Sequence, residues 1–210
     1  MKSKTENLNK IFNFLHQAGK LKKILRYSAH DKMPKESVAD HSWRLAIMAF
    51  IIAEELKLKI NLIKALKIAL VHDIAEAITG DIDYLLIYIN KVSDKQKLEQ
   101  EIKAMKKIKA ILPAKEGKEI YKLWREYENG LSPEAKYIKA LDKIEALTHI
   151  IEAGHKTYSD YSNPEIIPIY ADRDVVNYQD LKIVLKIIKN KIKSEFAKGK
   201  IPWKKEYDKI

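Results

Sequence analysis

Four ionisable side chains follow an apolar run in the most hydrophobic predicted helix of the chain. His72, Asp73, Glu76 and Asp81 occur within ten residues, after the run Ile-Ala-Leu-Val at 68–71. On a helix, His72, Asp73 and Glu76 would share one face, because residues three and four apart are neighbours there. Burying such groups is costly unless something pairs with them. Imidazole and carboxylate groups are ligands of divalent cations, so this cluster predicts a metal site.

Taken singly, each of these residues has an ordinary structural explanation. An Asp can cap a helix, a neutral His can lie in a core, and a carboxylate can pair with a nearby Lys. For any one residue that explanation is the better one. Four such residues so close together favour a cation, because a cation allows them to be buried side by side.

Two further residues could complete the site. His41 lies on the apolar face of a predicted helix, in line with Leu45. Asp142 lies at the edge of the apolar stripe of the segment ALDKIEAL. Both have structural alternatives: His41 as a hydrogen-bonded core residue, and Asp142 as the partner of Lys139 three positions earlier. Spacing alone leaves both interpretations of Asp142 open.

The composition restricts which groups can hold an ion. The chain has 210 residues, of which 46% are hydrophobic, which is enough for one packed domain. It contains no Cys, and this excludes disulfides, thiolate zinc sites, iron–sulfur clusters and thiol nucleophiles. Any metal ion must therefore be held by His, Asp or Glu.

The apolar runs predict a soluble, cytoplasmic protein without a membrane partner. The longest, at 45–53, has nine residues. A bilayer-spanning helix needs about 18. The first ten residues carry charges and amides but no apolar stretch of the signal-peptide type.

Lysine dominates a strongly basic composition. Lys and Arg number 40 against 29 acidic residues, a net charge of +11, yet only four of the 40 are Arg. Residues 177–210 alone hold ten Lys and four acidic residues. Arg is the usual residue for bidentate phosphate recognition. We interpret the excess as a solvated surface and expect no nucleic-acid partner. The alternative is a non-catalytic module that binds nucleic acid or an anionic membrane surface through a basic helix at 178–197.

Hydrophobic periodicity predicts helices and no convincing strand. Helices are expected at residues 7–25, 37–57, 61–79, 93–112, 115–128, 132–155 and 178–197, separated by loops at 26–35, 81–92 and 158–176. Ser, Asn and Gly residues at the ends of these segments supply the caps. We therefore predict an all-α bundle in one domain, with a core at about 10–155 and a helical extension at about 156–210.

Three segments resemble the HD-domain metal phosphohydrolases, whose pattern is H…HD…D. They are ESVADHS at 36–42, LVHDIAEAITGD at 70–81 and AKYIKALDKIEAL at 135–147, and the likeness is greatest to the 5′-deoxynucleotidase branch. The dipeptide HD alone is weak evidence. The pattern HD-x-x-E-x-x-x-G-D with an upstream E-x-V-x-D/E-H is specific. The resemblance covers about residues 10–155 and implies the HD-domain helical bundle.

The resemblance also implies roles for eight residues. They are the metal ligands His41, His72, Asp73 and Asp142, the catalytic carboxylates Glu76 and Asp81, and the substrate contacts Arg26, Tyr27 and Asp81. The implied cofactor is a divalent cation, Mn²⁺, Co²⁺, Fe²⁺ or Mg²⁺. The implied reaction is hydrolysis of nucleoside 5′-monophosphates, preferentially the 2′-deoxy forms, by a metal-activated water. A homodimer is also implied, with the helices after residue 113 as its interface.

Two departures from the family pattern concern the substrate. Bacterial members carry Trp directly after the Arg, where this chain has Tyr27, whose smaller ring could tolerate ribose. The connector at 28–35 lacks the usual second Arg, and His30, Lys32 or Lys35 are its candidate replacements. The alternative within the family is a phosphohydrolase acting on guanosine tetraphosphate, a cyclic nucleotide or a nucleoside triphosphate. Neither the phosphate-loop nor the G-x-S-x-G motif is present, so ATPase and serine-hydrolase activities have no support.

Overall fold

The computed structural model describes residues 2–83, 86–87, 91–160 and 164–210. Its α-helices are α1 Lys2–Ala18, α2 Val38–Glu55, α3 Leu62–Val71, α4 Glu76–Thr79, α5 Asp94–Ile111, α6 Ala114–Asn129, α7 Pro133–Ala153, α8 Asp172–Val176 and α9 Lys182–Lys198. The described ranges contain no strand beyond one isolated bridge between Leu25 and Ser37. The predicted all-α architecture is confirmed.

Local signals place several helix starts where they were predicted. The Ser37 hydroxyl accepts from Asp40 N at 3.0 Å, and the Asp40 carboxylate accepts from Ser37 N at 3.1 Å, which is a complete capping box for α2. Asn61 caps α3 by accepting from Lys64 N at 3.0 Å. These caps fix where α2 and α3 begin, and therefore where the side chains along them point.

Three predicted boundaries were wrong. The helix expected at 61–79 breaks after Val71, and residues 72–75 form tight turns in which Ile74 N donates to Val71 O and Glu76 N donates to Asp73 O. The first helix ends at Ala18 and continues as a 3₁₀ turn, Gly19–Lys23. The loop expected at 158–176 contains α8. Part of the loop expected at 81–92 lies outside the described residues.

The central helix is α7, which packs against α2, α3, α6 and α9. Its fully buried side chains include Tyr137, Ile138, Leu141, Ile144 and Leu147. A second cluster of buried residues joins α5 and α6 to the turn after α1, and Val71 packs against both clusters. The residues after Val71 therefore lie where the two parts of the core meet.

The C-terminal region packs onto this core. Helix α9 contacts α7 and α8. The Lys189 ammonium is buried and reaches the Asp172 carboxylate at 2.8 Å and the backbone oxygen of Lys209 at 2.7 Å. The division into a core at 10–155 and an extension at 156–210 stays a prediction.

Among the described residues, no helix has both the length and the apolarity required to cross a bilayer.

Candidate metal centre

Three elements bring four of the predicted residues together. His41 lies in α2, Asp142 in α7, and His72 and Asp73 in the turn after α3. His41 Nε2 lies 3.1 Å from Asp142 Oδ1 and 3.3 Å from His72 Nε2. His72 Nε2 lies 2.9 Å from Asp73 Oδ2 and 4.0 Å from Asp142 Oδ1. Two ligands about 2.1 Å from one ion at a right angle lie about 3 Å apart. The spacings among His41, His72 and Asp73 therefore suit one shared cation, and Asp142 Oδ1 lies beside the His41 nitrogen.

The second nitrogen of each imidazole is already engaged by the protein. His72 Nδ1 donates to Ala69 O at 2.8 Å, and His41 Nδ1 donates to the Glu145 carboxylate. The two Nε2 atoms therefore face each other beside two carboxylates, and positive charge is required between them. An Nδ1 held by the protein with Nε2 directed inward is the usual arrangement of a metal-binding His. The residues present thus fit a divalent cation with N and O ligands.

Electrostatics keep the two carboxylates of this cluster ionised, as a cation requires. Burial would raise the pKa of Asp73, but His72 lowers it. Burial would also raise the pKa of Asp142, which Lys143 and His41 hold well below its ordinary range. Burial lowers the pKa of His41, yet the carboxylates around it outweigh burial and raise that pKa to about 9. The cluster therefore stabilises positive charge at His41 Nε2, in the form of a proton or a metal ion.

The far oxygen of Asp142 is fixed by two donors. Tyr127 Oη and Lys143 Nζ each donate to Asp142 Oδ2 at 2.9 Å. This leaves Oδ1 directed at the imidazoles. The lysine that pairs with Asp142 is therefore Lys143 and not Lys139, whose ammonium lies 4.3 Å from the Tyr127 ring centre.

A second group of acidic residues around His41 is already neutralised. Glu36 and Glu145 have carboxylate oxygens within 4.8 Å of a His41 nitrogen and of each other. Arg26 Nη1 contacts Glu36 at 2.7 Å and Glu145 at 3.3 Å. Arg44 Nε donates to Glu145 at 2.6 Å, and Arg44 Nη2 lies 3.4 Å from Glu36. Two guanidinium groups balance the two carboxylates, so this group anchors His41 and does not require an ion.

A pocket of about 380 Å³ opens onto the cluster, a size typical of small-ligand sites. Its wall includes six of the predicted site residues: Arg26, Tyr27, Asp73, Glu76, Asp81 and Asp142. His41 and His72 are buried.

Glu76 and Asp81 lie on the wall of this pocket, close to each other and to Asp73. Glu76 is 3% exposed, and its Oε2 has no hydrogen-bond partner in the described part of the chain. Burial, assisted by Asp73, raises the pKa of Glu76 well above its ordinary value. Burial, again assisted by Asp73, raises the pKa of Asp81 to about 6. The raised pKa of each carboxyl group favours its protonated form, and Asp81 can exchange a proton close to neutral pH.

Tyr27 has a rigid setting at the pocket wall. Its φ is 61°, in the left-handed region that a non-glycine residue rarely adopts. Its ring stacks on His149 with centres 4.7 Å apart. His149 Nε2 donates to Pro34 O at 2.8 Å, and its Nδ1 lies 3.2 Å from Glu36. Tyr27 is thus held in place at the pocket wall.

The candidate replacements for the second Arg occupy different places. His30 lines the pocket and lies 3.5 Å from the Asp83 carboxylate. Lys35 contacts the backbone oxygens of Tyr27 and His30. Lys32 is exposed. Of the three, His30 is placed to meet a ligand in the pocket.

Sequence reasoning missed the residues that hold His41 and Arg26. Glu145 follows Asp142 by one helical turn, and Glu36 and Arg44 flank His41 in the sequence. These short spacings were the available signal. These spacings indicate a shared contact only if α2 and α7 pack against each other. The sequence does not show that packing.

Comparisons with known proteins agree with this geometry. The family model described as "HD domain" matches residues 18–176. The human "5′-deoxynucleotidase HDDC2" is 33% identical over 177 residues, covering 77% of this chain and 83% of that protein. The Schizosaccharomyces pombe "5′-deoxynucleotidase hdd1" is 37% identical over 125 residues, covering 58% and 60%.

Solved structures show the same fold. A "predicted metal-dependent phosphohydrolase" from Magnetospirillum magnetotacticum has a TM-score of 0.74 and 25% identity, and the match covers 94% of this chain and 100% of that one. A "conserved hypothetical protein" from Pyrococcus furiosus has a TM-score of 0.68 and 31% identity, covering 85% and 99%. The family match spans most of the chain, and within it His41, His72, Asp73 and Asp142 form one cluster, of which Asp73 and Asp142 line the pocket. This chain is a member of the HD-domain family.

Proposed function

We propose that this protein is a divalent-metal-dependent phosphohydrolase that converts nucleoside 5′-monophosphates, preferentially 2′-deoxy forms, into nucleoside and phosphate. One observation carries the proposal: two imidazole Nε2 atoms 3.3 Å apart lie beside Asp73 and Asp142 at a pocket that also contains Arg26, Glu76 and Asp81. The names of the relatives, which are 5′-deoxynucleotidases, support the substrate class.

The proposed ligands of the ion are His41, His72, Asp73 and Asp142. Two imidazoles and two carboxylates suit an ion with further open positions, such as Mn²⁺, Co²⁺, Fe²⁺ or Mg²⁺. When bound, the ion supplies a Lewis acid that neutralises phosphoryl oxygens and lowers the pKa of water.

Arg26 is the proposed phosphate contact. Both of its ion pairs, to Glu36 and Glu145, use Nη1. A guanidinium has five N–H donors in a planar fork, so Nε and Nη2 can donate to a phosphate in the pocket. The two carboxylates hold the guanidinium plane in place before the substrate binds, and this lowers the cost of ordering it.

The remaining wall suits a nucleoside. Glu76 and Asp81 lie on the acidic side, where one of them accepts a proton from the attacking water and one supplies a proton to the leaving 5′-oxygen. Ile150, Ile167 and Tyr170 also line the pocket and can contact base and sugar.

A substrate panel tests this proposal. Phosphate release is measured with deoxy- and ribonucleoside 5′-monophosphates, a 3′-monophosphate and guanosine tetraphosphate, each with Mn²⁺, Co²⁺ or Mg²⁺. The proposal expects release from the 5′-monophosphates alone. Turnover of guanosine tetraphosphate instead would favour the other HD phosphohydrolases, and salt-sensitive nucleic-acid binding without any hydrolysis would favour the binding module.

We also propose a homodimer. Four large apolar side chains on one face of α2 are exposed: Trp43, Ile47, Phe50 and Ile51. Exposed apolar patches of this kind mark interaction surfaces. They support α2 as part of the interface, in addition to the helices after residue 113. Sedimentation of the protein as a monomer at micromolar concentration would refute the dimer.

A cytoplasmic location stays a prediction.

A further inference from the structure

Glu145 has no exposed surface and contacts three positively charged or imidazole groups. It lies on α7 one turn after Asp142. Its Oε1 accepts from Arg44 Nε at 2.6 Å. Its Oε2 contacts both His41 Nδ1 and Arg26 Nη1, the latter at 3.3 Å. One oxygen atom is therefore shared by a proposed metal ligand and by the proposed phosphate contact.

The shared oxygen determines how His41 can act. A carboxylate at Nδ1 accepts the proton there, so that Nε2 is the nitrogen available to an ion. It also fixes the ring plane, which directs Nε2 at Asp142 Oδ1, 3.1 Å away, and at His72 Nε2, 3.3 Å away. Without Glu145, the imidazole can rotate about its side-chain bonds or adopt the other tautomer.

Arg44 prevents the carboxylate itself from turning. It holds Oε1, and its Nη1 is held in turn by Glu152 at 2.6 Å on the same helix α7. The Glu152 side chain is 58% exposed, so this outer pair lies at the surface and contributes little to stability. Because Arg44 holds Oε1, the other oxygen, Oε2, is directed at His41 Nδ1 and Arg26 Nη1.

We propose that Glu145 is a positioning residue that holds His41 and Arg26 through one carboxylate oxygen. It thereby fixes the proposed metal ligand His41 relative to the proposed phosphate contact Arg26. This rests on the proposed function, because it assumes that His41 binds the ion and that Arg26 binds phosphate. In this role Glu145 itself contacts neither the substrate nor the ion.

The test compares Glu145→Gln with Glu152→Gln. Both variants remove a carboxylate that contacts Arg44, but in the described part of the chain Glu152 pairs with Arg44 and not with His41 or Arg26. Mn²⁺ affinity is measured from the electron paramagnetic resonance signal of free Mn²⁺, and KM and kcat are measured at saturating Mn²⁺. Loss of an outer-shell partner weakens metal binding by about 10–100-fold, which is the loss expected for Glu145→Gln. Its KM should also rise, because Arg26 loses one of its two anchors, and Glu152→Gln should match the wild type in both measurements.

Wild-type Mn²⁺ affinity in Glu145→Gln would overturn the proposal. His72→Ala separates this result from failure of the proposed function. If His72→Ala loses Mn²⁺ while Glu145→Gln keeps it, only the positioning role is wrong; if both keep it, the metal site itself is wrong.

A measurement on the wild-type protein covers the case in which Glu145→Gln does not fold. Long-range ¹⁵N spectra of the histidine rings, recorded with Mg²⁺ bound, identify which nitrogen of His41 carries the proton. The proposal expects the proton on Nδ1. A proton on Nε2 would overturn it.

Discussion

The Nε2 atoms of His41 and His72 lie 3.3 Å apart, although 31 positions separate the two residues in the sequence. Each ring donates its other N–H to the protein, His41 to Glu145 and His72 to Ala69 O. Two lone pairs directed at each other inside a core are unfavourable unless positive charge lies between them. This pair, with the ionised carboxylates of Asp73 and Asp142 beside it, explains why a cation suits the site.

Substitution of a proposed ligand should abolish metal binding and turnover together. In His72→Ala and Asp73→Ala, the ion loses one of its four protein ligands. We expect no retained Mn²⁺ after dialysis and no phosphate release. The control is His16→Ala, which removes an exposed imidazole from α1. Activity close to wild type in either ligand variant would contradict the assignment.

Glu76→Gln should separate catalysis from metal binding. The amide has almost the same volume but cannot transfer a proton, and general acid–base catalysis contributes about 10²–10⁴-fold to rates. We expect a loss of kcat in this range with Mn²⁺ affinity retained. Glu99→Gln, an exposed position on α5, serves as control. Unchanged kcat in Glu76→Gln would remove this residue from the mechanism.

The junction between α3 and α7 should make stability pH-dependent. Glu134 accepts from Asn61 N at 3.0 Å and from Lys64 Nζ at 2.9 Å. Burial would raise the pKa of Glu134, but these donors lower it below its ordinary value. A depressed carboxylate pKa stabilises the fold above the unfolded pKa of about 4.3, and this contribution is lost as pH falls through the folded pKa.

Glu134→Gln should therefore lower the free energy of unfolding at pH 7 by about 1 kcal/mol. The difference from wild type should shrink at pH values below the unfolded carboxyl pKa. Urea unfolding at neutral and acidic pH measures it, with the exposed Glu55→Gln as control. An equal difference at both pH values would show that the charge of Glu134 is not responsible.

Tyr27→Trp should increase discrimination against ribose. Tyr27 lines the pocket and is held by its stack on His149 at 4.7 Å, so a larger indole cannot easily move aside. We expect kcat/KM for deoxynucleotides to rise relative to that for ribonucleotides. Tyr121→Trp, which changes a residue on α6 that packs against Trp124, controls for the added indole. An unchanged ratio would show that Tyr27 does not face the sugar.

Local signals in the sequence predicted much of the fold. The caps at Ser37 and Asn61 fix the starts of α2 and α3, and these caps depend only on residues within one turn. The tight grouping of His72, Asp73 and Glu76 also indicated a site, because proximity in sequence enforces proximity in space.

The rest of the site depends on contacts between distant segments. Glu145 lies 104 positions from His41, so its contact with the imidazole exists only once α2 and α7 pack. The break after Val71 was missed for the same reason. In the sequence, residues 72–75 continue the amphipathic pattern of α3. In the structure, the two parts of the core meet at these residues and the chain turns.

The most direct test of the central claim is a Mn²⁺ titration of chelator-stripped protein with a 2′-deoxyribonucleoside 5′-monophosphate as substrate. Phosphate release and bound Mn²⁺ are followed together, beside Asp73→Ala. We expect release to appear only as Mn²⁺ binds, and Asp73→Ala to show neither Mn²⁺ binding nor release. Release from the stripped protein, or Mn²⁺ binding without release from any 5′-monophosphate, would contradict it.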